Sequence, residues 1–291
     1  MCLIALALGM HPDYPLVIAA NRDEFFDRPT APMSEWLSGS GMPIIGGRDL
    51  RGGGAAMALS RKGRIAMLTN VRDPLDNKVY TRSRGELVLH WLESELPFDA
   101  WLNAAQAIDF AGFNLIVGDF YAKAWHWASN RSVSPEHAVQ QAWPWHTKAL
   151  PHGKVITLSN ASLSTPWPKS KRLAAAMQTA LGASADGAKP NQASMARVLW
   201  AALQDTQAPA QADLPTTGVD LALEKALASC FVDLRKQPNP YGTRSSSLIF
   251  GRCAGDGLDI HINEKSWSRI PSQQPETETA PVLAHYSLGW K

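Results

Sequence analysis

Cys2-Leu3-Ile4-Ala5-Leu6-Ala7-Leu8 and Leu16-Val17-Ile18-Ala19-Ala20-Asn21-Arg22-Asp23-Glu24 are the stretches on which the fold of this chain turns. Each opens as a near-continuous apolar run. Between the runs lie Gly9, Pro12, Asp13 and Pro15, all turn residues. Two buried strands joined as a hairpin fit that pattern. The polar cluster from Asn21 to Glu24 then falls at the end of the second strand, one hairpin away from Cys2.

Outward from this hairpin, Pro29 to Gly54 is rich in Gly and Pro and reads as irregular chain with tight turns. Its Gly46-Gly47-Arg48-Asp49 and Gly52-Gly53-Gly54 clusters are turn chemistry, because no GK[ST] follows and no GxGxxG opens a helix. Ala55–Leu59 and Arg64–Thr69 flank Arg61-Lys62-Gly63, a hairpin signature. Helical spacing runs from Gly85 to Leu96, with a second helix over Asp99–Ile108. Phe113–Val117 and Ala122–Trp127 form another hairpin, and Val155–Leu158 is a strand ending at Ser159-Asn160. Lys169–Leu181 and Ser194–Leu203 are helical, separated by an exposed loop over Gly182–Gln192. Ser246–Phe250 and Leu258–Ile262 make a last hairpin, to which His285–Leu288 adds an edge strand. Strands come in runs, helices come in runs, and hairpins dominate the connections. The reading is an α+β layered domain with antiparallel sheets.

Composition is that of a globular chain: 291 residues, 45% hydrophobic, 19% charged. The net charge is +2 and no Lys/Arg run stands out, which gives a nucleic-acid surface little support. Cys2, Cys230 and Cys253, an odd set without CxxC spacing, argue against a disulfide framework or a structural zinc site. The histidines are dispersed with no HExxH, so no metal site is expected. The apolar stretch from Cys2 to Leu8 is too short to span a membrane and lacks a basic leader, so the expected location is cytoplasmic.

The chemistry centres on Cys2. Taken alone it reads as a small buried hydrophobe opening a core strand. Its position allows more. Initiator methionine is usually trimmed when the next residue is small, and trimming here leaves a thiol and a free α-amine on one residue. The unperturbed amine has a pKa of about 7.7–8.0 and the thiol about 8.5. The amine can therefore take the thiol proton near neutral pH without a histidine. Arg22 and Asp23 read either as a solvated turn or as a strand end delivered beside Cys2. Asn70, Asn160 and Arg244 each adjoin an apolar strand and a turn. Either Asn is a turn residue by itself, whereas beside a thiol nucleophile Asn amides are natural oxyanion donors. No histidine stands in a recognisable Cys-protease context.

Met1-Cys2-Leu3-Ile4 and Ala20-Asn21-Arg22-Asp23-Glu24 resemble the NRDE family, also called the transport and Golgi organisation 2 family. Leu68-Thr69-Asn70-Val71-Arg72, Ser83-Arg84-Gly85, Gly112-Phe113-Asn114-Leu115, Leu158-Ser159-Asn160-Ala161, Thr165-Pro166-Trp167-Pro168 and Tyr241-Gly242-Thr243-Arg244-Ser245-Ser246 extend the likeness over most of the chain. Gly53-Gly54-Ala55-Ala56-Met57 departs from it, since the family more often carries a Gly-Thr-Trp-type segment there. The resemblance implies one Ntn-hydrolase-like domain over residues 1–291, an αββα sandwich of two antiparallel sheets between helical layers. Within that superfamily the pattern is similar to the choloylglycine and penicillin V acylase group. That likeness makes Cys2, Arg22, Asp23, Asn70, Asn160 and Arg244 the counterparts of its catalytic set, although Arg22 and Asp23 are adjacent here, unlike the group's spacing.

Three functions follow as expectations. The first is a Cys2-dependent amidohydrolase acting on a small non-peptide amide, with no cofactor required. The second, implied by the family association, is a haem-binding or haem-trafficking protein without catalysis, for which His126 and His152 are candidate ligands. The third is a scaffold with a degenerate site. The expected partner is a small-molecule ligand or haem, not nucleic acid, with no integral membrane segment.

Overall fold

β1 (Cys2–Leu8) and β2 (Leu16–Phe25) pair antiparallel, with Cys2 opposite Arg22, Leu6 opposite Ile18 and Leu8 opposite Leu16. This is a computed structural model, and it describes residues 2–105, 109–133, 139–182, 190–267 and 282–290. The two runs are continuously apolar because both faces of the hairpin are covered. Ile4, Leu6, Leu8, Leu16 and Ile18 pack against a second sheet. Leu3, Ala5, Ala7, Val17 and Ala19, on the opposite face, pack against helices.

The first sheet runs β10 (Lys154–Leu158), β1, β2, β12 (Tyr241–Ala254), β13 (Gly257–Ser266), β14 (Val282–Trp290), and the short β11 (Asp233–Leu234) pairs with β12. The second sheet runs in chain order: β3 (Thr30–Leu37), β4 (Pro43–Asp49), β5 (Met57–Ser60), β6 (Arg64–Asn70), β7 (Phe113–Asp119), β8 (Ala124–Val133), β9 (Val139–Ala149). All described pairings are antiparallel. Helices α1 (Gly85–Glu93) and α2 (Phe98–Ala104) cover the outer face of the second sheet through Leu87, Val88, Trp91 and Trp101. Helices α3 (Pro168–Leu181) and α4 (Gln192–Leu203) cover the first through Leu173, Met177, Met195 and Leu199. The architecture is the αββα sandwich that the resemblance implies. No described helix is long and apolar enough to cross a membrane.

One expectation is overturned. Pro29–Gly54 is not irregular chain, because β3 and β4 occupy most of it. β3 is an edge strand, and Pro32 falls where its register shifts between Ala31 and Ser34, so the missing N–H breaks no ladder. Gly46 serves close packing rather than a turn, since a Cβ there would lie 2.6 Å from the Cβ of Ala58 on β5. The helix expected over Gly85–Leu96 ends at Glu93. The tail of the helix expected over Asp99–Ile108, and most of the Gly182–Gln192 loop, lie outside the described residues. Helix α5 (Leu221–Ala226) carried no recognised signal.

Candidate active site

At the open end of the sandwich the ends of β1, β2 and β6 converge on a cavity of about 910 Å³. Its lining includes the polar residues Cys2, Arg22, Asp23, Glu24, Arg28, Asp49, Asn70 and Arg84 and the larger apolar or aromatic residues Phe25, Leu223, Leu227, Leu234 and Tyr241. Alternation along β2 sorts the polar cluster. Arg22 falls on the inter-sheet side with Cys2, whereas Asn21 and Thr243-bound Asp23 lie on the α3 side of the strand, with Asp23 still reaching the cavity lining. Asn21 is buried, and its side-chain amide donates to the carbonyls of Leu203 and Cys230 at 2.8 Å each.

The Cys2 end is stitched to the second sheet by hydrogen bonds. Ser159 Oγ donates to the Cys2 carbonyl at 2.9 Å. Asn160 Nδ2 donates to the Asn70 carbonyl at 2.8 Å, and the Arg72 amide donates to the Asn160 carbonyl at 2.8 Å. Asn160 is thus buried and engaged with backbone, behind Asn70 rather than in the cavity lining. The Asn70 side chain lines the cavity.

Burial raises the Cys2 thiol pKa, with the Asp23 carboxylate adding to the rise; Arg22 and the Asp23 backbone N–H oppose it. The sulfur is therefore held as a thiol at neutral pH and needs a base to become a nucleophile. Asp23 is buried and accepts from Thr243 Oγ1 at 2.8 Å. Burial pushes its carboxyl pKa up, and Lys169 pulls against that. Lys169 is 1% exposed in the first turn of α3, where the helix dipole disfavours a cation. Its ammonium donates to the Leu227 carbonyl at 3.2 Å; burial depresses its pKa, and Asp23 restores part of it.

The arginines differ in their pairing. Arg22 meets Glu24 at 3.5 Å, and Arg28 meets Asp49 at 2.6 Å. Arg84 donates to the Gly112 carbonyl at 3.1 Å, forms no ion pair among the described residues, and has its pKa lowered by burial. Arg28, Arg84, Asp49 and the α5 wall went unrecognised in the sequence; the Ser83-Arg84-Gly85 motif was the one available signal. Arg244 is displaced from the Cys2 cavity. Its Nη1 donates to the carbonyls of Phe25 and Arg28 at 2.8 and 3.2 Å, and it lines a second cavity of about 190 Å³.

The histidines proposed for haem lie elsewhere. His126 stacks on Phe98 with ring centroids 4.1 Å apart, and burial lowers its pKa. His152 is exposed. Neither lines the Cys2 cavity, and no histidine is among its described lining residues, so a histidine-ligated haem does not fit it. Among the described residues no group of His, Cys, Asp and Glu side chains is placed to hold a metal ion.

Similar proteins place the chain. A bovine (Bos taurus) Transport and Golgi organization protein 2 homolog is 30% identical over 295 residues, covering 96% of this chain and 97% of that one. The human (Homo sapiens) homolog is 30% identical over 272 residues, covering 86% and 88%. Among solved structures, a Caenorhabditis elegans N-acylethanolamine-hydrolyzing acid amidase ortholog aligns with TM-score 0.46 at 11% identity, over 85% of this chain and 92% of that one. The profile of the Transport and Golgi organisation 2 family matches residues 1–268, and the chain belongs to that family.

Proposed function

We propose that the Cys2 cavity is the active site of an amidohydrolase that cleaves a small non-peptide amide once Met1 has been removed. The observation that carries the reading is the placement of the Cys2 thiol at a strand end, opposite Arg22 and on the wall of a cavity of about 910 Å³ that has both charged and apolar lining residues. In the reaction the α-amine of Cys2 takes the thiol proton while the sulfur bonds to the amide carbon. The carbonyl oxygen becomes an oxyanion. The Asn70 amide donates to it, and Asn160 holds the Asn70 backbone in place. The resulting ammonium returns its proton to the leaving nitrogen as the C–N bond breaks, which leaves a thioester on Cys2. Water adds to the thioester, with the same amine as base, and releases the acid and the thiol. Asp23 orients the amine as a buried carboxylate, with Lys169 favouring its ionised form. Arg22 steadies negative charge near the sulfur. The apolar wall formed by Leu223, Leu227 and Leu234 takes the acyl part.

The test is hydrolysis of a panel of chromogenic acyl amides by the purified chain and by its Cys2→Ala variant. Turnover that vanishes in Cys2→Ala supports the proposal; turnover equal in both, or none with any amide in protein lacking Met1, ends it.

Arg84, which makes no ion pair among the described residues and lines a cavity that also has apolar residues, favours a second reading, haem carried as cargo through a propionate without a histidine ligand. A Soret titration reads this directly. A saturable shift lost in Arg84→Ala supports it, and an unchanged spectrum removes it.

A further inference from the structure

Three cavities meet at Arg22. The Cys2 cavity shares Cys2, Arg22, Ala56 and Leu68 with a small inter-sheet cavity of about 40 Å³. That one shares Arg22, Gly47, Ser245 and Glu264 with the cavity of about 190 Å³ on the far side. The far cavity is lined by three guanidinium groups, those of Arg22, Arg48 and Arg244, against one carboxylate, that of Glu264.

Arg22 is paired with Glu24 at 3.5 Å, whereas Arg48 and Arg244 make no ion pair among the described residues. Glu264 is buried, and its oxygens accept from the Met33 amide at 2.7 Å, Ser266 Oγ at 3.1 Å and Ser247 Oγ at 3.2 Å. Arg48 is exposed; its guanidinium lies 4.6 Å from the Trp36 ring and makes no ion pair among the described residues. Arg244 spends its Nη atoms on two carbonyls and on Thr30 Oγ1, while its Nε is buried without a hydrogen-bond partner among the described residues.

We propose that the far cavity is a binding site for a compact oxyanion such as a phosphate, carboxylate or sulfonate group, held by Arg48 and Arg244 and shared with Arg22. Its volume of about 190 Å³ admits a group of that size, and its arginine lining favours an anion over an apolar chain. Arg22 faces Cys2 on one side and this cavity on the other. Occupancy therefore draws Arg22's charge away from the sulfur and slows thiolate chemistry at Cys2. The site does not require Cys2 to be a hydrolytic nucleophile.

The test uses the full chain, with inorganic phosphate as the probe at constant ionic strength. Alkylation of Cys2 by iodoacetamide is followed by peptide mass mapping, and phosphate binding is followed by calorimetry. The expected result is saturable binding with slower Cys2 alkylation. Arg48→Ala, a change at an exposed residue, should raise the half-saturating phosphate concentration about tenfold, and Arg48→Lys should recover part of that. Glu264→Gln, which removes the carboxylate, should lower it. An acyl amide bearing a terminal carboxylate is the second probe. Its displacement by phosphate identifies the acidic end of a larger ligand as the occupant, and phosphate binding without displacement identifies a free anion. Absence of saturable binding, equal half-saturation in wild type and Arg48→Ala, or loss confined to Arg84→Ala overturns the assignment.

Discussion

Glu224 on α5 meets Arg72 at 2.7 Å, with side-chain exposures of 3% and 8%. It also accepts from the Thr217 backbone amide at 2.7 Å and from the Thr217 hydroxyl. Arg72 in turn lies 5.0 Å from the Trp167 ring, and burial lowers its pKa while Glu224 opposes that shift. This one carboxylate pins the α5 wall of the Cys2 cavity to the chain just beyond β6. Glu224→Ala takes the carboxylate from a buried guanidinium and the acceptor from the Thr217 donors. Breaking a buried pair from one side costs about 3–5 kcal/mol. At about 2 °C per kcal/mol for a chain this long, the melting temperature should fall by roughly 6–10 °C. Replacing both partners, Arg72→Met with Glu224→Leu, should cost less than the single change, because no buried charge is stranded. Urea unfolding measures the loss, and hydrogen exchange across Leu221–Ala226 shows whether the wall opens by itself. A Glu224→Ala protein within about 1 kcal/mol of wild type, with α5 exchange unchanged, would refute the reasoning.

Arg64 donates from Nε to Asp119 at 2.9 Å and from its Nη atoms to the carbonyls of Ser94 and Leu96 at 2.6 and 2.9 Å, which closes the C-terminal end of α1. Arg64→Lys cannot reproduce this fork and should lose about 2–3 kcal/mol in urea unfolding. A Cβ on Gly54 would come within 2.6 Å of the Gly85 carbonyl oxygen and 2.8 Å of the Glu86 amide nitrogen, both backbone. Gly54→Ala should therefore destabilise by about 1–3 kcal/mol and reshape the cavity edge, seen as an altered Cys2 alkylation rate. Burial pushes the Cys230 thiol up to about 12, with Asp205 adding to the rise. The raised folded pKa means that stability is intact below an unfolded thiol pKa of about 8.5 and declines as pH rises from there toward 12. Urea midpoints between pH 8 and 10.5 should fall more steeply in wild type than in Cys230→Ala, and parallel curves would contradict this.

How far the sequence carried can be judged residue by residue. The β1–β2 hairpin was legible because two-sided burial makes its strands continuously apolar, and the turn residues between them are unambiguous. That put the Arg22-Asp23 strand end one hairpin away from Cys2 as one of two readings, and the register makes Cys2 and Arg22 partners. Asp23 was placed with them, but its turn toward α3 and Lys169 depends on strand alternation at a position where both faces are polar. β3 and β4 were hidden because edge position tolerates Pro32 and close packing against Ala58 demands Gly46, so packing residues looked like turn residues. The α5 wall was hidden for another reason. Six residues carry too little periodicity to read, and what holds them is a carboxylate whose partner lies far along the chain. Arg244 was read as adjoining a turn before a strand that starts at Ser246, whereas it lies inside β12 at the register shift between Thr243 and Ser245 and lines the neighbouring cavity.

The proposed role of Cys2 as an N-terminal thiol nucleophile is open to intact-mass spectrometry of the purified chain after brief incubation with an activated acyl amide. The expected product is a chain lacking Met1 that carries one acyl group as a thioester on Cys2, released by hydroxylamine and absent from Cys2→Ala. A chain that retains Met1, or one that lacks it and never gains an acyl group on Cys2, would contradict it.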